Sequence, residues 1–418
     1  MLLRARIVLP ISAPPIEDGV VLIQDGRIAE VGRSRDIELA GPEEVLDLGE
    51  VILLPGLVNA HCHLDYSAMA GRISPPREFL DWIEAIIAYK ASWDYSDFAH
   101  SWVSGAGQLL KNGVTTVADM EAVPELIPEC QPATPLRIHA FMELINLRKR
   151  SPGALMVEEA ERTLLGHLNP RGGYGLAPHA LYTASPDLLQ AASVCAQSND
   201  WPLSIHVAES RIEAEMFRDG RGLMFDWLRK NQRDMSDCGR HSPVAILEQL
   251  GLLSNHLLAV HCNYLEPGDA ELLGKNQCTV VHCPQSHAYF GHADFQAREL
   301  AAVGVNLCLG TDSLASTRKQ RGMNPELSLY DEMRVFADNH PDFSPEEILP
   351  MATIHGALAL RRANQIGEIA GRALADLQTI PYSGPLEAAT QFVVHETIHS
   401  SRVMIGGHWV NPLSAAAQ

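Results

Sequence analysis

The pattern of apolar and polar positions in the middle of the chain predicts repeated strand and helix units. Eight short apolar runs have the length of buried strands, and stretches with helical spacing lie between them. The predicted strands are 58–64, 114–120, 137–143, 173–178, 203–208, 257–262, 279–283 and 305–311. The predicted helices include 79–89, 185–196, 212–230, 243–250 and 325–337. Eight such units favour an α/β fold of the (β/α)8 TIM barrel type, which places its chemistry at the C-terminal strand ends.

The two ends of the chain have a different pattern, in which short apolar segments alternate with turn signals. Asp18-Gly19 and Asp25-Gly26 flank an apolar run, as is typical of hairpins. Similar segments recur near the other end, at 367–371, 375–380, 391–394 and 403–407. We therefore expect a small β-sandwich domain assembled from residues 1–55 and 366–418. The catalytic barrel domain would then span residues 56–365.

Composition limits the classes of partner. Hydrophobic residues make up 46% of the chain and charged residues 20%, which is enough apolar material for a packed core. The formal net charge of −19 argues against a nucleic-acid partner and favours a small-molecule substrate. Arg4, Arg6 and Pro10 interrupt the first apolar run, so we expect no secretory signal, and since no later stretch is long and apolar enough, we expect no membrane span. The dispersed cysteines agree with a cytoplasmic location.

Histidines and an aspartate follow the predicted strands. Residues two apart in a strand point to the same side, so His61 and His63 can meet one cation. In a chain with 18 histidines, a chance His-x-His pair is the alternative interpretation. However, His179, His206, His261 and Asp312 stand at the ends of four other predicted strands. Because these strand ends meet at one face of a barrel, the set indicates a metal site.

The residue types predict a mononuclear site for a divalent metal. We expect His61, His63, His206 and Asp312 to bind one ion, with zinc as the first choice and iron(II) or manganese also compatible. Asp312 would also accept a proton from a water activated by the metal. Glu209 lies three residues after His206, where a carboxyl group can carry protons between water and substrate. An ordinary glutamate in the first turn of a helix is the alternative interpretation for Glu209.

Several motifs resemble those of a known family. They are the segment 55–64, His206-Val-Ala-Glu209, Val260-His-Cys262, Val281-His-Cys-Pro-Gln-Ser286 and Leu309-Gly-Thr-Asp-Ser313. Together they resemble the amidohydrolase superfamily, in the branch of adenosine-analogue, guanine and cytosine deaminases and triazine hydrolases. In that family the residues matching His61, His63, His206 and Asp312 bind the metal. Those matching Glu209 and His261 move protons and polarise the substituent on the attacked carbon.

The resemblance also bears on the number of metal ions. Superfamily members with two metals usually bridge them with a carboxylated lysine at the end of the fourth strand. Between residues 120 and 204 this chain has a single lysine, Lys149, inside an Arg-Lys-Arg cluster that looks like a solvated loop. We therefore expect one metal ion. The segment after the fourth strand resembles one in which a histidine contacts substrate, so His179 is assigned to substrate binding.

The resemblance implies hydrolytic deamination of an amino-substituted heteroaromatic ring. Asp81 or Glu84 would accept ribose hydroxyl groups and Trp82 would form a pocket wall, because 79–84 resembles the place where nucleoside deaminases hold a ribose. A helix-terminal acid and a core tryptophan are the alternative interpretations. The segment 286–292 departs from the family pattern, and His287 is a further candidate for substrate contact.

The substrate is a 6-aminopurine riboside on this interpretation. Segments 79–82, 310–316 and 326–334 look most like those of aminodeoxyfutalosine deaminases, and deaminases of adenosine, S-adenosylhomocysteine or methylthioadenosine are the near alternative. A triazine-type chlorohydrolase, or another hydrolase of cyclic C–N bonds, is a second alternative. A metal-binding assembly protein without activity is a third. The resemblance also implies a homo-oligomer, such as a homodimer.

Overall fold

The computed structural model describes residues 1–37, 44–167, 169, 171–319, 325–396 and 399–410. Its strands are β1 (Leu2–Val8), β2 (Ile16–Gln24), β3 (Arg27–Arg33), β4 (Val45–Asp47), β5 (Val51–Pro55), β6 (Leu57–Cys62), β7 (Val114–Glu121), β8 (Arg137–Leu144), β9 (Gly173–Pro178), β10 (Leu203–Val207), β11 (Leu257–His261), β12 (Thr279–His282), β13 (Asn306–Leu309), β14 (Leu377–Pro381), β15 (Arg402–Ile405) and β16 (His408–Val410). Its helices are α1 (Phe79–Lys90), α2 (Tyr95–Lys111), α3 (Leu126–Cys130), α4 (Gly153–Leu165), α5 (Pro186–Ser198), α6 (Arg211–Asp219), α7 (Leu223–Lys230), α8 (Pro243–Gln249), α9 (Asp269–Lys275), α10 (Pro284–Phe290), α11 (Ala297–Ala302), α12 (Leu329–Asn339), α13 (Pro345–Met351), α14 (Ile354–Ala359) and α15 (Ala389–His395).

Strands β6 to β13 form one parallel sheet in chain order, which confirms the predicted barrel. Their side chains alternate between the barrel interior and the surrounding helices, and almost all are buried. A bridge between Cys62 and Asp312 joins the first and last strands, and the Asp312 amide donates to the His61 carbonyl at 3.1 Å. Two of the predicted metal-binding segments therefore meet where the barrel closes.

The second sheet combines strands from both ends of the chain. Its order is β16-β15-β14-β5-β1-β2-β3, and β4 also pairs with β1. β14 lies antiparallel to β5, so the last part of the described chain completes a sheet begun by the first. Arg137 at the start of β8 forms a buried ion pair with Asp376, just before β14. This pair fastens the sheet to the barrel. Residues 38–43 and 411–418 of the predicted terminal domain lie outside the described residues.

Two of the predicted helices have other boundaries in the structure. The helix predicted at 212–230 is divided into α6 and α7, because Gly220 ends α6 in the left-handed conformation and Gly222 also has a positive φ. The helix predicted at 325–337 begins only at Leu329, where the Ser328 hydroxyl accepts from the Asp331 amide and caps it.

Two further observations concern the remaining composition-based expectations. All eight cysteines are free thiols, and Cys238 alone among them is not buried. Among the described residues, none of the helices combines the length and apolar character needed to cross a bilayer.

Candidate active site

The C-terminal strand ends bring the predicted metal ligands together. The ligand nitrogens of His61, His63 and His206 lie within 4.8 Å of one another. One carboxylate oxygen of Asp312 lies 3.8 Å from Nε2 of His61 and 3.9 Å from Nε2 of His63. All four residues are buried. Three imidazoles and one carboxylate thus face a common point inside the barrel mouth.

The chemistry of these donors fits a divalent metal ion. Both ring nitrogens of His61 and Nδ1 of His63 are buried without a hydrogen-bond partner among the described residues. Burial, together with the neighbouring imidazoles, lowers the pKa of His61 well below its usual value. Burial also lowers the pKa of His63 and of His206 to about 4. Neutral imidazole is the form that binds metals, so these side chains are in the protonation state needed to ligate a cation such as Zn²⁺.

Neighbouring groups orient two of these ligands. The ring nitrogen Nδ1 of His206 lies 2.7 Å from the carbonyl oxygen of His179, which leaves Nε2 free to face the site. The Ser316 hydroxyl donates to the second carboxylate oxygen of Asp312 at 3.1 Å, while the first oxygen faces His61 and His63. Each ligand therefore has one polar atom held by the protein and one directed to the site.

Asn59 fastens the strands that carry the site. It is fully buried on β6, two residues before His61. Its amide nitrogen donates to the Thr311 hydroxyl at 2.7 Å, and its oxygen accepts from the Thr311 backbone at 3.1 Å. The same oxygen accepts from the His61 backbone at 3.4 Å. This one side chain sets the register between the first ligand strand and the segment that presents Asp312.

The backbone adopts left-handed conformations where it leaves the strands. Ala208 has φ 48°, His261 φ 74° and Asp312 φ 52°. Such conformations are unfavourable for residues with a Cβ atom and persist where surrounding contacts hold them. After β10 that contact comes from buried Glu213, whose carboxylate accepts from the amides of Ala208 at 3.1 Å and Glu209 at 2.8 Å. These two hydrogen bonds therefore stabilise the turn that presents Glu209.

Glu209 and His261 lie beside the metal ligands. Burial raises the pKa of Glu209 well above its usual value, and the charges of Asp312 and Glu213 raise it further. Its carboxylate is 3.6 Å from Nε2 of His261. Burial lowers the pKa of His261 well below its usual value. A carboxyl group that readily holds a proton next to a neutral imidazole has the properties of a proton carrier.

These residues open into a cavity of about 260 Å³. His179 lines it, and Nδ1 of His179 lies 2.8 Å from the Thr183 hydroxyl, which leaves the other ring nitrogen for a ligand. Trp82 also lines it, and its indole nitrogen donates to the Ala315 carbonyl at 3.2 Å. Tyr66 and Trp227 add two more aromatic walls. A flat heteroaromatic ring suits such a cavity.

Three predicted substrate contacts lie outside the cavity lining. Asp81 is exposed, and its carboxylate accepts from the Glu78 amide at the start of α1. Glu84 is exposed and accepts from the indole of Trp227, a residue that lines the cavity. His287 packs edge-on against His282, and its Nε2 lies 2.9 Å from the Ala293 carbonyl oxygen. The side chains of the two acids therefore have contacts at the start of α1 and at the cavity rim, and their contact with substrate stays a prediction.

Sequence reasoning did not find Lys90 and Glu143, which both line the cavity. For Glu143 a signal was available, because it follows Phe141 on the interior face of β8, at the C-terminal end of that strand. For Lys90 no local signal exists, since only packing decides which turn of α1 faces the site. Asn59 was also missed, although a polar residue inside an apolar strand is a signal in itself.

Comparison with known proteins identifies a family, relatives and structural neighbours of this chain. The model of a family described as the amidohydrolase family matches residues 52–410. A 5-methylthioadenosine/S-adenosylhomocysteine deaminase of Syntrophobacter fumaroxidans is 30% identical over 93% of this chain and 88% of its own length. The structure of Helicobacter pylori aminofutalosine deaminase in complex with methylthio-coformycin aligns with a TM-score of 0.85 at 23% identity, covering 98% of this chain and 100% of the other. The structure of atrazine chlorohydrolase from Arthrobacter aurescens TC1, complexed with zinc, aligns with a TM-score of 0.83 at 21% identity, covering 98% of this chain and 94% of the other.

Proposed function

Since the chain belongs to the amidohydrolase family, we propose that it is a metal-dependent deaminase that hydrolyses a 6-aminopurine riboside. The observation that carries this proposal is the convergence of His61, His63, His206 and Asp312 beside Glu209, at the base of an aromatic-walled cavity. The name of the Syntrophobacter fumaroxidans relative supports a substrate of this class.

We propose His61, His63, His206 and Asp312 as the ligands of one ion, and zinc as that ion. A bound divalent ion would supply Lewis-acid activation of a water molecule. Asp312 accepts a proton from the attacking water. Glu209 donates a proton to the ring nitrogen next to the attacked carbon, and its raised pKa keeps a proton available.

His261 and His179 complete the proposed mechanism. His261 hydrogen-bonds the new oxygen on the attacked carbon and stabilises the charge that develops there. His179 contacts the substrate through the ring nitrogen that Thr183 leaves free. The exocyclic amine takes up the proton that Asp312 accepted and leaves as ammonia. The hydroxyl group on the attacked carbon returns a proton to Glu209, and the ring keeps the oxygen as a carbonyl. One water is consumed for each ammonia released.

A substrate screen combined with one variant tests this proposal. The purified, metal-loaded protein is offered adenosine, methylthioadenosine, S-adenosylhomocysteine, aminodeoxyfutalosine, guanine, cytosine and a chlorotriazine. We expect an ultraviolet shift from aminopurine to hypoxanthine, and ammonia release. Glu209→Gln should keep its metal by elemental analysis and lose nearly all turnover, whereas Glu158→Gln, an exposed charge on α4, should keep both. Halide release without any aminopurine conversion would favour a chlorohydrolase instead.

Three further expectations belong to the same proposal. The boundaries 1–55 with 366–418 and 56–365 describe a terminal β domain and a catalytic barrel, which the separate sheets support. A homodimer is proposed from the family resemblance, and a cytoplasmic location from the dispersed cysteines. Analytical ultracentrifugation of the purified protein tests the homodimer, and a monomer at micromolar concentration would contradict it.

A further inference from the structure

The cavity wall beyond the metal ligands is largely apolar. Ile83, Ile87, Ile145 and Leu147 form much of it. Ile87 and Ile145 are 55% and 50% exposed, which is unusual for large apolar side chains in this chain. Apart from Glu209 and Asp312, the acidic or basic residues of the described lining, histidines aside, are Lys90 and Glu143. An isolated polar pair in an apolar wall is where a ligand's orientation is fixed.

Glu143 supplies the carboxylate of this pair. It stands near the end of β8, where Phe141 two residues earlier points into the barrel interior, so its carboxylate points to the same side above that layer. It forms no hydrogen bond or ion pair with any residue in the described part of the chain. A half-buried carboxylate without a donor is costly unless a ligand or water supplies one.

Lys90 is positioned by its contacts with Tyr66. It is the last residue of α1, and its ammonium group donates to the Tyr66 hydroxyl and lies 4.5 Å from the centre of that ring. Tyr66 in turn stacks on His63, with ring centroids 5.4 Å apart and an interplanar angle of 8°. The ammonium group is therefore positioned next to the metal site, with donors left over for a ligand.

The two charges face one cavity but form no ion pair with each other within the described structure. A ligand carboxylate near Lys90 would be repelled by Glu143, and a ligand ammonium near Glu143 would be repelled by Lys90. A purely apolar group would leave both charges unpaired. A neutral group that donates to the carboxylate and accepts from the ammonium satisfies both, and adjacent hydroxyl groups do this.

We propose that Glu143 and Lys90 form the subsite that binds the sugar hydroxyl groups of the substrate, in place of Asp81 and Glu84. Glu143 accepts hydrogen bonds from the hydroxyls and Lys90 donates to one of their oxygens. This inference rests on the proposed function, because it takes the substrate to be a riboside.

The reaction products allow a test that does not depend on turnover. Calorimetry on the metal-loaded protein compares inosine with 2′,3′-dideoxyinosine, which lacks both hydroxyls. Wild type should bind inosine roughly 10- to 100-fold more tightly, as expected for charge-assisted hydrogen bonds. Glu143→Gln should reduce this ratio to within about threefold, and Lys90→Gln should reduce it in part. The control Glu158→Gln should keep the wild-type ratio.

The outcomes separate this inference from the proposed function. Equal affinity of wild type for the two products, or an unchanged ratio in Glu143→Gln of normal Tm and metal content, overturns the inference. If Glu143→Gln does not fold, an unchanged ratio in Lys90→Gln overturns it as well. Discrimination that depends on Glu143 supports the subsite, even if the protein deaminates none of the offered aminopurines. That lack of deamination would overturn the proposed function and leave the subsite standing.

Discussion

Replacing Glu213 with Gln should lower kcat while the metal site stays loaded. In the native protein the Glu213 carboxylate is fully buried and accepts from the amides of Ala208 and Glu209, at 3.1 and 2.8 Å. Gln is nearly isosteric but has one acceptor oxygen, so one of these amides would face an NH₂ group. An unsatisfied buried amide costs about 1–3 kcal/mol. That cost would loosen the left-handed turn at Ala208, where φ is 48°.

The expected size of the effect follows from that cost. If the full cost destabilises the turn, the share of molecules with Glu209 in position drops by up to roughly 5- to 150-fold, and kcat drops with it. Burial raises the pKa of Glu213 to about 7, although hydrogen bonds from three backbone amides act in the opposite direction and lower it. Protonation removes one acceptor, so wild-type kcat should fall as the pH drops through about 7. Glu213→Gln should lack this component of the pH profile.

The assay is steady-state kinetics from pH 5.5 to 9, roughly the range spanning this titration, with elemental analysis of each sample. Glu215→Gln is the matched control, because Glu215 lies on the same helix and its carboxylate pairs with Arg211 at the surface. The smallest expected cost corresponds to a roughly fivefold loss of kcat. A kcat of Glu213→Gln within about twofold of wild type would therefore refute the positioning role of this carboxylate.

The remaining predictions concern the metal and the scaffold. Chelation should lower Tm and abolish turnover, and added Zn²⁺ should restore both, because a ligand of the folded state stabilises it by mass action; an unchanged Tm would contradict a metal bound inside the barrel. Gly310→Ala places a Cβ 2.8 Å from the carbonyl oxygen and 2.9 Å from the Cβ of His61, so elemental analysis should show reduced metal content. Gly107→Ala, which meets nothing within 4 Å, should retain the wild-type content. Arg137→Met should lower the free energy of unfolding by about 3–5 kcal/mol, because buried Asp376 loses its partner. Chemical denaturation measures this, and a loss below about 1 kcal/mol would contradict a structural role for the pair.

The barrel could be predicted because its strands are buried on both faces. Such strands appear as continuous apolar runs, and the polar residues that follow them stand out against these runs. His206 and Asp312 stand out in this way, and because the strand ends of a barrel share one face, the sequence alone predicts that they lie close together.

The substrate side of the cavity could not be predicted in the same way. It depends on which side of α1 faces inward. Asp81 and Lys90 are nine residues apart on this helix, and only Lys90 lines the cavity. The sequence of an amphipathic helix with charges on several sides does not specify this rotation, because packing against the barrel mouth determines it. The division between α6 and α7 was different, since Gly220 and Gly222 were visible in the sequence.

The position of β5 has a consequence for how the protein is made. This strand, Val-Ile-Leu-Leu-Pro, lies between β1 and β14, yet β14 follows it by about 320 residues. At ribosomal speeds of about 5–20 residues per second, β5 leaves the ribosome roughly 15–60 s before its second neighbour exists. During that interval an apolar strand edge is open to pairing with other nascent chains. Translation speed and chaperone occupancy over this interval should therefore affect the yield of soluble protein, even where the stability of the finished fold is unchanged.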